Sequence, residues 1–284
     1  MKIPNLFLPL LLLIMLASVA AGSGKEPMLL SVDHEQREQG QYFTIMVTGA
    51  PEEPALWFME RSYRMFRQAD SSWSALLPVE NLTLPGSYIL LLRSGAFEQK
   101  RSITVAANNR SIQQIALDSL KAELKATEIE KARVKAALHT ESPEQLFVGL
   151  FLRPAAGRTS SLFGVKRSYN GGPVESYHKG IDIAAPQGTA AQSTARGLVI
   201  LTGSVDEGFK VHGNTVVINH GQGLVSIYMH LSAISVYEGQ LVEAGEVIGN
   251  VGHTGISTAP HLHWGTYLYG TSVDPELFEG KVVK

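Results

Sequence analysis

Cysteine is absent from all 284 residues. That excludes disulfides, thiolate metal sites, thiol nucleophiles and a lipid-bearing cysteine near the start. Any metal must therefore be held by His, Asp or Glu. An excess of positive charge is lacking as well: 24 Lys and Arg face 26 Asp and Glu, for a formal net charge of -2. Nothing resembles a basic face that gathers phosphates, so no nucleic acid is expected as a partner. What the chain does have is 44% hydrophobic residues, enough for a packed core and too many for a wholly disordered polymer.

Residues 1–24 read as an export signal. Lys2 supplies a short positive start, Leu6 to Val19 is almost wholly apolar, and Ala20, Ala21 and Gly22 follow. A spanning helix wants about 20 apolar residues, more than this run offers. Cleavage after Ala20 or Ala21 is expected, with no stable membrane span afterwards and a mature protein that is periplasmic, secreted or cell-wall associated.

Three textures follow. Residues 28–106 contain short alternating or apolar runs, Tyr42 to Val47, Tyr88 to Leu92 and Arg101 to Val105, punctuated by turn residues. They predict a small β-sandwich, read either as a docking module or as a cover for the next domain. Residues 111–139 lack Gly and Pro and place Leu117, Leu120, Leu124, Val134 and Leu138 at helical spacing. Glu128, Glu130, Lys131 and Arg133 read there as a solvated face, and Ser142-Pro143-Glu144-Gln145 as the capped start of another helix. No heptad register is kept, so the segment reads as a linker and not as a coiled coil. From Arg153 onward Gly is dense and β-branched runs are short (Leu198 to Leu201, Thr215 to Asn219, Leu224 to Tyr228, Val247 to Val251), predicting an antiparallel β domain. The expected fold is mainly β: signal 1–21, β-sandwich-like module 25–108, helical linker 109–150, and an antiparallel β-sheet domain over 151–284.

Seven of the nine histidines lie between positions 178 and 263. In His261-Leu262-His263 the two rings share one strand face. His178 and Asp182, four apart, share a face of a strand or of one helical turn. Two His and one carboxylate without a thiolate is the open-site pattern of catalytic zinc, with one His left over. The same donors also suit non-haem iron. The bland reading is a local His–Asp ion pair beside two edge-strand imidazoles.

Ordered blocks lift the second half above that reading. Ser161 to Gly164, His178 to Pro186, Gly213 to Ile218, Tyr228 to Leu231, Val251 to Gly255, Pro260 to His263 and Val273 to Pro275 resemble peptidase family M23, the zinc metallopeptidases of the lysostaphin and LytM type. The resemblance spans about Gly157 to Pro275. It implies His178, Asp182 and His263 as zinc ligands, and His230 and His261 as catalytic residues. One departure is Trp264-Gly265, where many members carry an aromatic residue and Glu. His253 reads as a groove or loop residue, and His212 and His220 as turn residues.

The resemblance implies a zinc endopeptidase that cuts peptide cross-links of bacterial peptidoglycan, and names no protein partner. The alternative is a LytM-type wall-binding protein that activates an amidase without hydrolysis; such relatives typically lose ligands. Val236 to Gly249 also resembles the hairpins of biotin and lipoyl carriers, but no Lys lies between Lys210 and Lys281 to be modified.

Overall fold

The computed structural model describes residues 27–115 and 125–283. The expected export signal, and Leu117, Leu120 and Leu124 of the linker pattern, lie outside them. Among the described residues no helix is long and apolar enough to cross a membrane.

Two sheets form the first module. One has the order β1-β3-β7-β6, built from β1 (Leu29–Val32), β3 (Tyr42–Thr48), β6 (Phe66–Arg67) and β7 (Trp73–Pro78). The other runs β2-β9-β8-β4-β5, from β2 (Gln36–Glu38), β4 (Ala55–Phe58), β5 (Arg61–Tyr63), β8 (Gly86–Ser94) and β9 (Phe97–Ala106). Alternation explains their facing. In β3, Phe43, Ile45 and Val47 are buried while Tyr42, Thr44 and Met46 are less so. Phe43 meets Phe58 of the second sheet edge-on, with ring centroids 6.5 Å apart.

This sandwich shares its core with the second half of the chain. Its apolar cluster includes Phe147, Phe151, Leu268, Tyr269, Val273 and Phe278. Tyr42 stacks on Phe278 at 5.1 Å, and Tyr63 meets Tyr269 edge-on at 5.3 Å. Arg61 Nη2 donates to the Tyr269 carbonyl at 2.5 Å, and the Tyr269 hydroxyl donates to the Arg64 carbonyl at 3.0 Å. Fully burying one such aromatic side chain contributes about 1.5–3 kcal/mol. A chain starting at Arg153 would expose Tyr269 and Phe278, so thermal denaturation should show it melting well below the full chain, or aggregating. An equal melting temperature would mean that the sandwich adds nothing to the stability of the second half.

The connecting segment departs from the sequence reading in two places. Residues 112–115 form β10 (Ile112–Ile115), which pairs in parallel with β12 (Lys166–Tyr169). The segment at Ser142 does not restart a helix. Its backbone instead serves the end of a strand: Gln222 N–H donates to the Ser142 carbonyl, and the Leu146 and Phe147 amides donate to the His220 carbonyl. Burial of Phe147 in the shared core holds it there. Between these lies α1 (Glu128–Leu138), capped by Thr127.

The second half is one large antiparallel sheet with the order β11-β14-β21-β18-β17-β16-β19. Its strands are β11 (Arg158–Ser161), β14 (Ile181–Ala184), β16 (Gly197–Gly203), β17 (Asn214–Gly221), β18 (Leu224–Ile234), β19 (Leu241–Val242) and β21 (His261–Leu268). β13 (Val174–Tyr177) makes a hairpin with β12; β15 (Ala190–Gln192) and β20 (Val247–Val251) pair with each other; β22 (Thr271–Val273) pairs with β21. The two sheet faces bury different clusters. Leu262, Trp264 and Tyr228 face one side with Ile181 and Ile183. Val225, Ile227 and Tyr267 face the other, where Val134 and Ala137 of α1 cover them. His261 and His263 therefore share the face on which α1 lies. The sandwich packs on Leu268 and Tyr269, at the end of β21 roughly 23 Å from His261 at a strand rise of about 3.3 Å per residue.

Candidate active site

Three neighbouring strands bring the expected residues together. Asp182 on β14 lies opposite His263 on β21, and Met229 on β18 lies opposite His263 from the other side. His178 belongs to no strand; it follows β13, and a bend at Gly180 turns the chain into β14. Gly180 must lack a side chain, because a Cβ there would lie 2.6 Å from His263 Nε2 and 2.4 Å from the Trp264 carbonyl oxygen. His178 and Asp182 thus converge through a bend, and not through a shared strand or helix face.

The donor atoms form a small triangle. His178 Nε2 is 3.0 Å from Asp182 Oδ1 and 3.1 Å from His263 Nδ1, and His263 Nδ1 is 2.9 Å from Asp182 Oδ1. His178 and His263 are buried and Asp182 is half-buried. His178 Nδ1 donates to the Leu162 carbonyl at 2.9 Å. In the neutral ring that leaves the Nε2 lone pair aimed at the triangle, the arrangement by which a main-chain carbonyl orients a metal-binding imidazole. Two imidazole nitrogens and one carboxylate oxygen, converging without an intervening side chain, fit a divalent cation of the zinc class. Burial alone would raise the Asp182 carboxyl, but hydrogen bonds from the His178 and His263 rings hold it well below the usual carboxylate range. Burial pushes His263 down to about 4.

His230 and His261 stand beside this triangle. Their ring centroids are 4.8 Å apart, and His230 is 6.2 Å from His263. His261 Nε2 lies 3.7 Å from Asp182 Oδ1. Each ring uses Nδ1 to donate to a main-chain carbonyl, His230 to Thr254 at 2.9 Å and His261 to Ala259 at 2.8 Å. Both Nε2 atoms remain for chemistry. Burial, then repulsion from His263, takes His230 down to about 3. The His230 backbone is left-handed, with φ +64°, at a register shift where β18 has extra length against β17. Such a conformation costs on the order of 1–3 kcal/mol and persists where the surroundings over-determine it.

Of the other histidines, His253 is exposed in the loop after β20. His220 is not a turn residue: it is fully buried on β17, with Nδ1 2.9 Å from the Arg196 carbonyl and Nε2 2.7 Å from Ser226 Oγ. Sequence reasoning missed Asn81, whose Nδ2 donates to the Gly164 carbonyl at 3.3 Å and so ties the sandwich to the loop that orients His178. It also misread Glu130, which is fully buried against the loop before β17 and not on a solvated face. The pattern Thr127-x-x-Glu130 was the available signal, since it spells a capping box.

The model of peptidase family M23 matches residues 176–275. The chain is 47% identical over 98 residues to the DD-carboxypeptidase/endopeptidase Mpg of Neisseria meningitidis, covering 34% of this chain and 22% of that protein. It is 38% identical over 117 residues to the peptidoglycan DD-endopeptidase ShyA of Vibrio cholerae, covering 41% of this chain and 26% of that protein. The chain thus spans about a quarter of the length of these curated relatives. A crystal structure of a putative peptidase M23 from Pseudomonas aeruginosa matches far more widely, with 31% identity, a TM-score of 0.61, and coverage of 83% of this chain and 90% of that one. With that identity held over nine-tenths of the Pseudomonas chain, and the family model covering β14, β18 and β21, the strands that carry Asp182, His230, His261 and His263, the chain belongs to peptidase family M23.

Proposed function

We propose that the chain is a zinc-dependent endopeptidase that hydrolyses peptide cross-links of peptidoglycan after export to the periplasm or cell wall. Residues 1–21 serve as the export signal, 25–108 as a fixed module, 109–150 as the linker and 151–284 as the peptidase half. One observation carries the reading: three donor atoms 2.9–3.1 Å apart, two from adjacent strands and one from the bend before β14, with two further imidazoles beside them. The named relatives, a DD-carboxypeptidase/endopeptidase and a peptidoglycan DD-endopeptidase, support the substrate class.

His178 Nε2, Asp182 Oδ1 and His263 Nδ1 hold the ion in this reading. The chemistry supplied by a bound zinc ion is polarisation of the scissile carbonyl and a water pKa brought toward about 7. His230 and His261 handle protons. One Nε2 takes the proton of the attacking water and returns it to the leaving amine; the other ring, protonated at Nε2, donates to the developing oxyanion. Proton transfer of this kind typically contributes about 10²–10⁴-fold.

Mass spectrometry of purified cross-linked muropeptides incubated with the protein tests this. Dimers should fall to monomers with addition of water. Dialysis against a chelator should abolish the reaction, and added zinc should restore it. Uncut muropeptides, with stimulation of an added amidase, would establish the non-hydrolytic alternative. Intact His178, Asp182, His230, His261 and His263 disfavour that outcome.

A further inference from the structure

We propose that Glu130, on the helix outside the peptidase half, is a positioning residue for His230, acting through the main chain of residues 210–212. The proposal rests on the reading of His230 as a catalytic residue.

Glu130 has a relative exposure of 0%. A buried carboxylate is costly unless it is fully hydrogen-bonded. As the third residue of α1 it needs only the Thr127 amide to complete its cap. It takes far more. Its Oε2 accepts the Thr127 and Lys210 amides at 3.2 and 3.1 Å. Its Oε1 accepts the Val211 and His212 amides at 3.0 and 2.7 Å, and the His212 Nδ1 lies at 2.6 Å. Three consecutive amides turned toward one oxygen pair form a concavity built for an anion, and the anion here is supplied from 80 residues earlier in the chain. Burial works to raise the Glu130 pKa, but the His212 amide and ring and the Val211 amide hold it below the ordinary value.

With its amides facing Glu130, the loop turns its carbonyls toward the site. The His212 carbonyl accepts the His230 amide at 3.0 Å, and the Val211 carbonyl accepts the Ile256 amide at 2.9 Å. Gly213 lets the two loops touch, since a Cβ there would lie 2.4 Å from Thr254 Oγ1. The Thr254 carbonyl in turn accepts the His230 ring. The amide anchor of the left-handed His230 therefore hangs directly on the loop pinned from behind by Glu130, and its Nδ1 anchor hangs on the Thr254 loop packed against that one. Docking of α1 alone would not need this charge, because Val134 and Ala137 already seal the helix to the sheet.

The test uses the full chain with Glu130→Ala, Glu130→Gln and Val134→Ala. Amide hydrogen exchange at His230, bound zinc, and kcat and KM on purified muropeptides are measured well below each melting temperature. Glu130→Ala should speed exchange at His230 at least about tenfold and lower kcat about 10–100-fold, the scale of a misplacement near 1 Å, with KM and zinc content unchanged. Glu130→Gln keeps an oxygen for Val211 and His212 and should recover most of kcat, which also decides the matter if the alanine variant fails to fold. Val134→Ala should lower stability but leave kcat and His230 exchange alone. Unchanged exchange at His230, a kcat loss shared by Val134→Ala, or activity lost together with zinc would each overturn the proposal. A wild-type protein that cuts nothing overturns the functional reading instead, and exchange at His230 then decides the positioning role by itself.

Discussion

His261→Ala is expected to keep one zinc ion per chain and to lower kcat for muropeptide cleavage by about 10²–10⁴-fold. The ring contributes no edge to the donor triangle; its Nε2 lies 3.7 Å from Asp182 Oδ1. Its Nδ1 is anchored on the Ala259 carbonyl and lies 3.2 Å from Ser257 Oγ, so the ring orientation is set by its own loop. Elemental analysis beside steady-state kinetics checks the result. Loss of zinc together with activity would mean that His261 and His263 exchange roles. His261 is the better test of the pair, because a substitution at His230 also disturbs a left-handed backbone position.

The second large effect is expected at Asp182. Asp182→Ala should abolish stable zinc binding, and with it cleavage, because it removes the one carboxylate of a donor set whose other two members are imidazoles. Loss of an outer partner of a metal site typically costs 10–100-fold in affinity, and loss of a donor atom should cost more than that. Zinc retained after dialysis and calorimetric titration of the metal-free protein measure it. The fold should survive: Ile181 and Ile183 carry the packing of β14, while Asp182 faces away from that core. Zinc retained at wild-type affinity would reject the proposed donor set.

Part of the candidate site was legible because one of its signals is local and periodic. His261 and His263 are two apart on a strand, and their common direction follows from strand geometry alone. The short β-branched runs in β16, β17, β18 and β20 were legible from their composition. What stayed hidden depends on partners distant in the chain. Ile112–Ile115 sits among helix formers and becomes a strand only because Lys166–Tyr169 pairs with it. Ser142 to Gln145 spells a helix start, yet the end of β17 claims its backbone and the shared core claims Phe147. The true capping box, at Thr127 and Glu130, was overlooked inside a run of charges. A charge run is usually solvated, and nothing short of the fold reveals that the Lys210–His212 amides meet this one.

The continuous apolar cluster across the two halves bears on how such a protein can be engineered. Tyr269 and Phe278 are sealed by rings from the first hundred residues. A lytic reagent trimmed to its catalytic portion would present those rings to water as a sticky wall. It would need polar replacements at these positions, or a surrogate scaffold grafted in their place, before it stayed in solution.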